Sequence, residues 1–199
     1  YRDFIKGDNQ IIINVNGENY NLDIDRVVIN CEGSGIVYML PELFRSRKTA
    51  VIDLGGRNMN FAVYQNMVSM PSTIFSNSLG STSLETDLKE QLQMYLGESV
   101  DMIDVEYALE NGGLILSGKL DNKTATIVQN CKRNYVKKVV QAIKEKGINL
   151  NTMSVLAIGG TSLTVESEFK DEIKHIEVIK NPNAQTISVE GFYKVASVK

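Results

Sequence analysis

Lys48-Thr-Ala-Val-Ile-Asp-Leu-Gly-Gly56 decides the fold, because it joins a short β-branched run to a carboxylate and two consecutive glycines. Ala50-Val51-Ile52 has the composition of a strand covered on both faces. Asp53 then sits where the strand emerges. Gly55 and Gly56 leave no side chain between peptide N–H groups and an incoming oxyanion. Met59-Asn-Phe-Ala-Val-Tyr-Gln65 alternates and is β-prone, which predicts a second strand returning antiparallel to the first. A Walker loop or a dinucleotide fingerprint needs a helix directly after its glycines, so neither is present. Two readings of the turn stand open. One is a phosphate loop whose carboxylate holds hydrated Mg²⁺, an ion that takes one or two carboxylates plus phosphate oxygens. The other is an ordinary hairpin turn with a capping Asp.

Met153-Ser-Val-Leu-Ala-Ile-Gly159-Gly160-Thr161 is a second strand closing on paired glycines. Here a helix is expected from Ser162 toward Phe169, and its free N–H groups and dipole would favour a nearby phosphate or ribose. Upstream, Ile11 to Val15 and Tyr20 to Ile24 flank Asn16-Gly17, a strong hairpin signal. Residues Tyr1, Phe4 and Ile5 have the spacing of a helix ending near Gly7. Asp25-Arg-Val-Val-Ile29 reads as a further strand, ending in a glycine-rich turn that holds Glu32, which is either a site acid or a solvated loop residue. Ile36 to Phe44 predicts a short helix with Pro41 as kink or boundary.

Leu84, Leu88, Leu92 and Leu96 repeat every four residues, an amphipathic helix with a capping start at Ser81 to Ser83. Residues 97–121 read as small, poorly defined elements, with Leu114-Ile-Leu116 strand-like. Asp121 to Lys146 is the clearest helix. Its apolar stripe runs Ile127, Cys131, Tyr135, Val139 and Ile143, with Val128, Val136 and Val140 beside it, and Gly147 ends it. Lys132, Arg133, Lys137, Lys138, Lys144 and Lys146 lie on the opposite face, read as solvated, with contact of part of it to a nucleotide or a neighbouring subunit as the alternative. His175 to Ile179 reads as a strand, and Asn183 as the cap of a final helix with Ile187, Gly191 and Val195 on one face.

Composition narrows the chemistry. The 199 residues are 43% apolar and 23% charged, with net charge −3 and pI near 5.3, so any DNA role would be indirect. Cys31 and Cys131, the whole cysteine complement, point to reduced thiols in a cytoplasm. A single histidine, His175, disfavours His-rich metal sites and Ser-His or Cys-His pairs. Carboxylates, backbone amides and a bound ion remain. No run reaches the roughly 18 to 20 apolar residues of a membrane span. The chain opens on Tyr1, which reads as a fragment or processed product.

Taken together, Val51-Ile-Asp-Leu-Gly-Gly56, Asn77-Ser-Leu-Gly80 before a helix, Val155-Leu-Ala-Ile-Gly-Gly-Thr161, and Asn183-Ala-Gln185 through Glu190-Gly-Phe-Tyr193 resemble the C-terminal portion of an actin-superfamily ATPase of the ParM-like, plasmid-segregating kind. The resemblance implies an α/β, actin-like (RNase H-like) lobe with a mixed central sheet flanked by helices and a smaller inserted subdomain. Residues 1–45 would end the first lobe with a hairpin, strand and hinge helix. Residues 46–199 would form the second lobe, with 81–149 as its inserted subdomain. Asp53 would position Mg²⁺ through water, Gly55 and Gly56 would approach the β- and γ-phosphates, and Gly159, Gly160 and Thr161 would face the α-phosphate, ribose or adenine. Glu32 would orient the attacking water. The nucleotide would be ATP or GTP.

Partners implied are further copies of the chain in a filament and a DNA-binding adaptor on a plasmid centromere-like site, with no direct nucleic-acid or membrane contact. ParM-like loops continue with small hydroxyl residues and a second acid, whereas Arg57, Asn58 and Asn60 stand here. No second Asp-x-Gly loop precedes Asp53, so most of the first lobe is missing and the chain alone is expected to hydrolyse little or nothing. A small-molecule kinase on the same fold and a nucleotide-binding scaffold domain are the alternative readings.

Overall fold

The computed structural model describes residues 10–24, 27–180 and 184–197. The chain divides into two units at the Cys31–Glu32 junction. In the first, β1 (Gln10–Val15) and β2 (Glu18–Asp23) form an antiparallel hairpin in the register Val15↔Glu18. Asn16 and Gly17 turn it with φ of 54° and 88°, the positive pair that a two-residue hairpin demands and that Asn-Gly supplies. The strand expected at Asp25 to Ile29 is not found among the described residues. Its first two residues lie outside the described ones, and residues 27–29 join no ladder; a β-prone run becomes a strand only where a partner takes up its N–H and C=O groups. The helix expected to end near Gly7 and the cap expected at Asn183 also fall outside the described residues.

The second unit is built on a mixed sheet, with strands in the order β10-β9-β3-β4-β5 and β6 also on β4. These are β3 (Thr49–Leu54), β4 (Met59–Gln65), β5 (Val68–Ser69), β6 (Phe75–Asn77), β9 (Ser154–Ile158) and β10 (Ile176–Val178). β3 lies between its antiparallel hairpin partner β4 and its parallel neighbour β9. That central position explains a run buried on both sides.

The two-residue period of β3 sorts the core into two layers. Ala50, Ile52 and Leu54 face the larger layer, with Phe61 and Val63 of β4, and with α3 (Ser81–Leu96), α4 (Met102–Asn111) and α5 (Asn122–Glu145). Val51 faces the other layer, with Ala62, Tyr64, Leu156 and Ile158. There it meets the single turns α1 (Ile36–Met39) and α2 (Glu42–Arg45) and the final helix α8 (Ile187–Ala196). Pro41 separates α1 from α2, as its missing N–H requires. Leu84, Leu88 and Leu92 are buried and Leu96 packs at the core's edge, so the four-residue column faces the sheet.

Several details depart from the sequence reading. No serine or threonine side chain caps α3; Gly80 stands at that position and the helix's first N–H groups go elsewhere, as the site geometry shows. Residues 102–111, read as ill-defined, form α4, ended by Gly112 in the left-handed conformation. The helix after Gly159 is two pieces, α6 (Gly160–Thr164) and α7 (Glu166–Glu172), broken at Val165. α5 matches its expected span, with Asp121 capping by accepting from the Thr124 N–H at 2.7 Å. β7 (Ile115–Leu116) and β8 (Lys119–Leu120) make a small hairpin at the strand-like segment.

Helices α1 and α8 cross with their backbones almost touching. A Cβ on Gly191 would lie 1.9 Å from the Gly35 carbonyl oxygen, and one on Gly35 would lie 1.8 Å from that of Ser188. In an open helix Gly→Ala gains about 1 kcal/mol. Here steric overlap reverses the sign: Gly191→Ala is expected to destabilise the chain, read as a lower urea midpoint at an unchanged slope. A rise in the midpoint would show the crossing to be looser than described.

Candidate functional site

Both glycine-ended strands stop at the same edge of the sheet. β3 and β9 run parallel with Asp53 opposite Ile158, so the residues that follow them meet. Gly159 fits against the end of β3 only because it has no side chain, since a Cβ there would lie 2.2 Å from the Leu54 carbonyl oxygen; its φ of 88° is likewise a glycine conformation. The Thr161 hydroxyl donates to the Gly55 carbonyl at 3.1 Å and ties one glycine loop to the other.

The loop of residues 55–58 is further held by the start of α3. Gly80, Ser81 and Thr82 N–H groups donate to the Arg57, Gly55 and Gly56 carbonyls at 3.2, 3.0 and 3.0 Å, and the Thr82 hydroxyl also donates to Gly56 at 3.0 Å. The helix's orphan donors are thus satisfied by the loop rather than by a capping side chain. Gly80 is required at that contact, because a Cβ would lie 2.4 Å from Arg57. The Gly55 N–H closes the turn onto the Asn58 carbonyl at 3.0 Å. Arg57 is exposed.

Around these loops opens a cleft of about 840 Å³. Glu32, Asp53, Gly55, Gly56, Gly159, Gly160 and Thr161, the residues singled out in the sequence, all line it. Glu32 comes from the turn before α1, which is pinned close to β3: a Cβ on Gly33 would lie 2.9 Å from Asp53 Oδ2. Asp53 is half-buried, and burial first, then the nearby Glu32 carboxylate, raises its pKa to about 6.

Further groups lie beside or along the cleft, and sequence reasoning gave them no place in it. Asn60 pairs opposite Asp53 across the β3–β4 ladder, on the same face, and its Nδ2 donates to Glu32 Oε2 at 3.0 Å. Glu85 of α3, Glu106 and Glu110 of α4, Lys132 of α5, and Gln185 and Ser188 beside or on α8 complete the walls. Lys132 corrects the sequence reading. The sequence pattern puts it on the solvated face of α5, but it is half-buried and donates to the Leu109 carbonyl at 2.9 Å, and burial lowers its pKa against the attraction of Glu168. The signal was available: its neighbours one turn away, Val128 and Val136, both belong to the apolar side. Arg133, Lys137, Lys138, Lys144 and Lys146 are exposed as expected.

Because the folded chain binds the Asp53 proton more tightly than the unfolded chain does, this group favours folding below about pH 4, and that contribution is lost as pH rises through about 6. Asp53→Asn removes the ionised form. Without added Mg²⁺, its stability relative to the parent is expected to be about 1 to 2 kcal/mol more favourable at pH 8 than at pH 5. Paired denaturant titrations check this, and a difference independent of pH would contradict the burial of Asp53.

No protein-family model and no curated protein matches the sequence. Solved structures do. The archaeal actin homologue Ta0583 superposes with a TM-score of 0.76 at 17% identity, over 92% of this chain and 60% of its own; it has also been solved in complex with ADP. The Alp12 filament structure matches with a TM-score of 0.71 at 29% identity, over 98% of this chain and 61% of its own. A 15-stranded ParM filament from Clostridium botulinum matches with a TM-score of 0.69 at 14% identity, over 89% and 57%. The chain thus has the actin fold, with a mixed sheet flanked by helices, is similar to ParM-like members of the actin superfamily over most of its length, and spans about three-fifths of the structures it matches.

Proposed function

We propose that this chain is the nucleotide-holding second lobe, residues 46–199 with 81–149 as its inserted subdomain, plus the hinge-side end of the first lobe, of a bacterial actin-like filament-forming ATPase that segregates plasmid DNA. The observation that carries the reading is the joining of two strand–glycine ends, through Thr161 and Gly55, beside the Glu32 and Asp53 carboxylates. Ta0583 with ADP supports a nucleotide as the ligand, and the Alp12 and ParM filaments support self-association.

The cleft fits a magnesium nucleotide by its own chemistry. Asp53 and Glu32 are neighbouring carboxylates in its lining, and among the described residues no cluster of three or more His, Cys, Asp or Glu side chains forms an all-protein metal cage. That donor set suits an ion that keeps its waters and takes phosphate oxygens. Ser188 Oγ is buried on the cleft wall without a hydrogen-bond partner, a group that a ribose or base could satisfy. Bound Mg²⁺ would offset charge on the phosphate oxygens. Asp53 would accept hydrogen bonds from the water shell. Gly55, Gly56, Gly159 and Gly160 let backbone approach the phosphates.

Glu32 would accept a proton from the attacking water as the new O–P bond forms to the γ-phosphorus. The bond to the β–γ bridging oxygen breaks in line, the electron pair leaves with the nucleoside diphosphate, and the proton passes from Glu32 to solvent. Phosphoryl transfer needs positioning and charge stabilisation rather than a covalent nucleophile, so this small set suffices. A net charge of −3 gives no general attraction to DNA, so a DNA-binding adaptor at a plasmid centromere-like site would make that link.

The test is sedimentation and phosphate release by a protein in which this segment is joined to a preceding actin lobe, at rising concentration with Mg-ATP, Mg-GTP or neither. Nucleotide-dependent pelleting above a threshold is expected, with hydrolysis lost in Glu32→Ala and Asp53→Ala. The 199-residue chain alone is expected to release phosphate at background, because the ligand would lie between lobes. Intact nucleotide binding without any polymer would overturn the filament reading, and phosphorylation of an added small acceptor would favour a kinase.

A further inference from the structure

We propose that Asn60 is a positioning residue that aims Glu32 at the attacking water, a role that rests on the hydrolysis reading above. Position 60, the second residue of β4, carries an amide. An amide supplies N–H donors that a carboxylate lacks. Asn60 uses one of them on Glu32 Oε2 at 3.0 Å, which leaves Oε1 as an acceptor for water.

The surroundings explain why such a hold is needed. Glu32 lies in a turn and its side chain is exposed, so neither a helix nor packing fixes its rotamer. The backbone beneath it, by contrast, is pinned on both sides. Gly33 sits against Asp53 with no room for a Cβ, and Gly35 sits against Ser188. Asn60 is itself fixed by its ladder position opposite Asp53. A residue held in the β3–β4 ladder therefore reaches across to the exposed Glu32 side chain. An acid at position 60 would also put a third carboxylate beside Glu32 and Asp53, which already repel each other.

Two measurements test this. In the 199-residue chain, the Asn60 side-chain amide resonance, assigned by its loss in Asn60→Ser, is expected to show a hydrogen-bonded shift. Glu32→Gln, which keeps an acceptor oxygen, is expected to preserve that shift, and Glu32→Ala to abolish it. A shift that ignores Glu32→Ala overturns the proposal whatever the enzyme does. In the two-lobe protein, Asn60→Asp keeps the side chain's size and loses the donor. It is expected to lower kcat about 10- to 100-fold with KM within about twofold, and Asn60→Ala to do the same. An Asn60→Ala kcat within twofold of the unaltered, hydrolysing protein overturns the proposal, since that exchange removes the donor without adding the charge that Asn60→Asp puts beside Glu32. No phosphate release by the unaltered protein at all would instead remove the hydrolysis reading on which the proposal rests.

Discussion

The architecture depends on one close approach. Gly159 lies so near the end of β3 that any side chain on it would collide with the Leu54 carbonyl. Only this lets two parallel neighbouring strands end side by side and deliver two glycine loops to one place. Once they meet, the loop carbonyls have to be accommodated, because lone pairs turned toward a phosphate would repel it. Gly55, Gly56 and Arg57 carbonyls are instead drawn off by Thr161 and by the first N–H groups of α3. On the nucleotide reading, the same contacts that cap the helix would also prepare the loop for an anion. Gly80, which permits the helix to dock there, belongs to the site as much as the residues that face the cleft.

The carboxylate pair shows the opposite pressure. Asp53 is half-buried beside Glu32, an arrangement that costs stability whenever both are ionised, and no cation among the described residues is paired with it to offset that cost. Nothing in the packing of β3 demands an acid at its end. Retaining one is the kind of local expense that functional sites bear and stable scaffolds avoid. The amide of Asn60 limits the expense by adding a donor where another acid would add repulsion.

The strands and long helices were legible because their signals are local. β3, β4, β9 and α5 follow from short β-branched runs, a 3.6-residue stripe and glycine stops, each read within one window of sequence. The glycine pairs and both acids were legible for the same reason. α4 escaped although its buried residues, Val105, Ala108 and Leu109, have the i, i+3, i+4 spacing of a helix, because they are few and interspersed with acids. Residues 27–29 escaped in the other direction, since β propensity is realised only on a partner. Asn60 was visible as a departure from a pattern, but its bond to Glu32 spans 28 positions and exists only once the β3–β4 ladder and the turn before α1 are both in place.

The charge on the cleft walls constrains what the fold can bind. Glu32, Asp53, Glu85, Glu106 and Glu110 all line it, and Lys132 is the cation among the described lining residues. That lysine is already committed to the Leu109 carbonyl, and burial weakens its hold on a proton. A polyphosphate entering such a space meets more negative charge than positive, and a partly desolvated setting strengthens the repulsion. On the nucleotide reading, favourable binding then requires charge from outside this lobe: a divalent ion between the phosphates and the carboxylates, and basic groups on whatever surface faces the cleft. On that reading, a site so acidic on one side would hold its ligand strongly only when faced by basic groups on the other, which would couple nucleotide occupancy to closure through electrostatics.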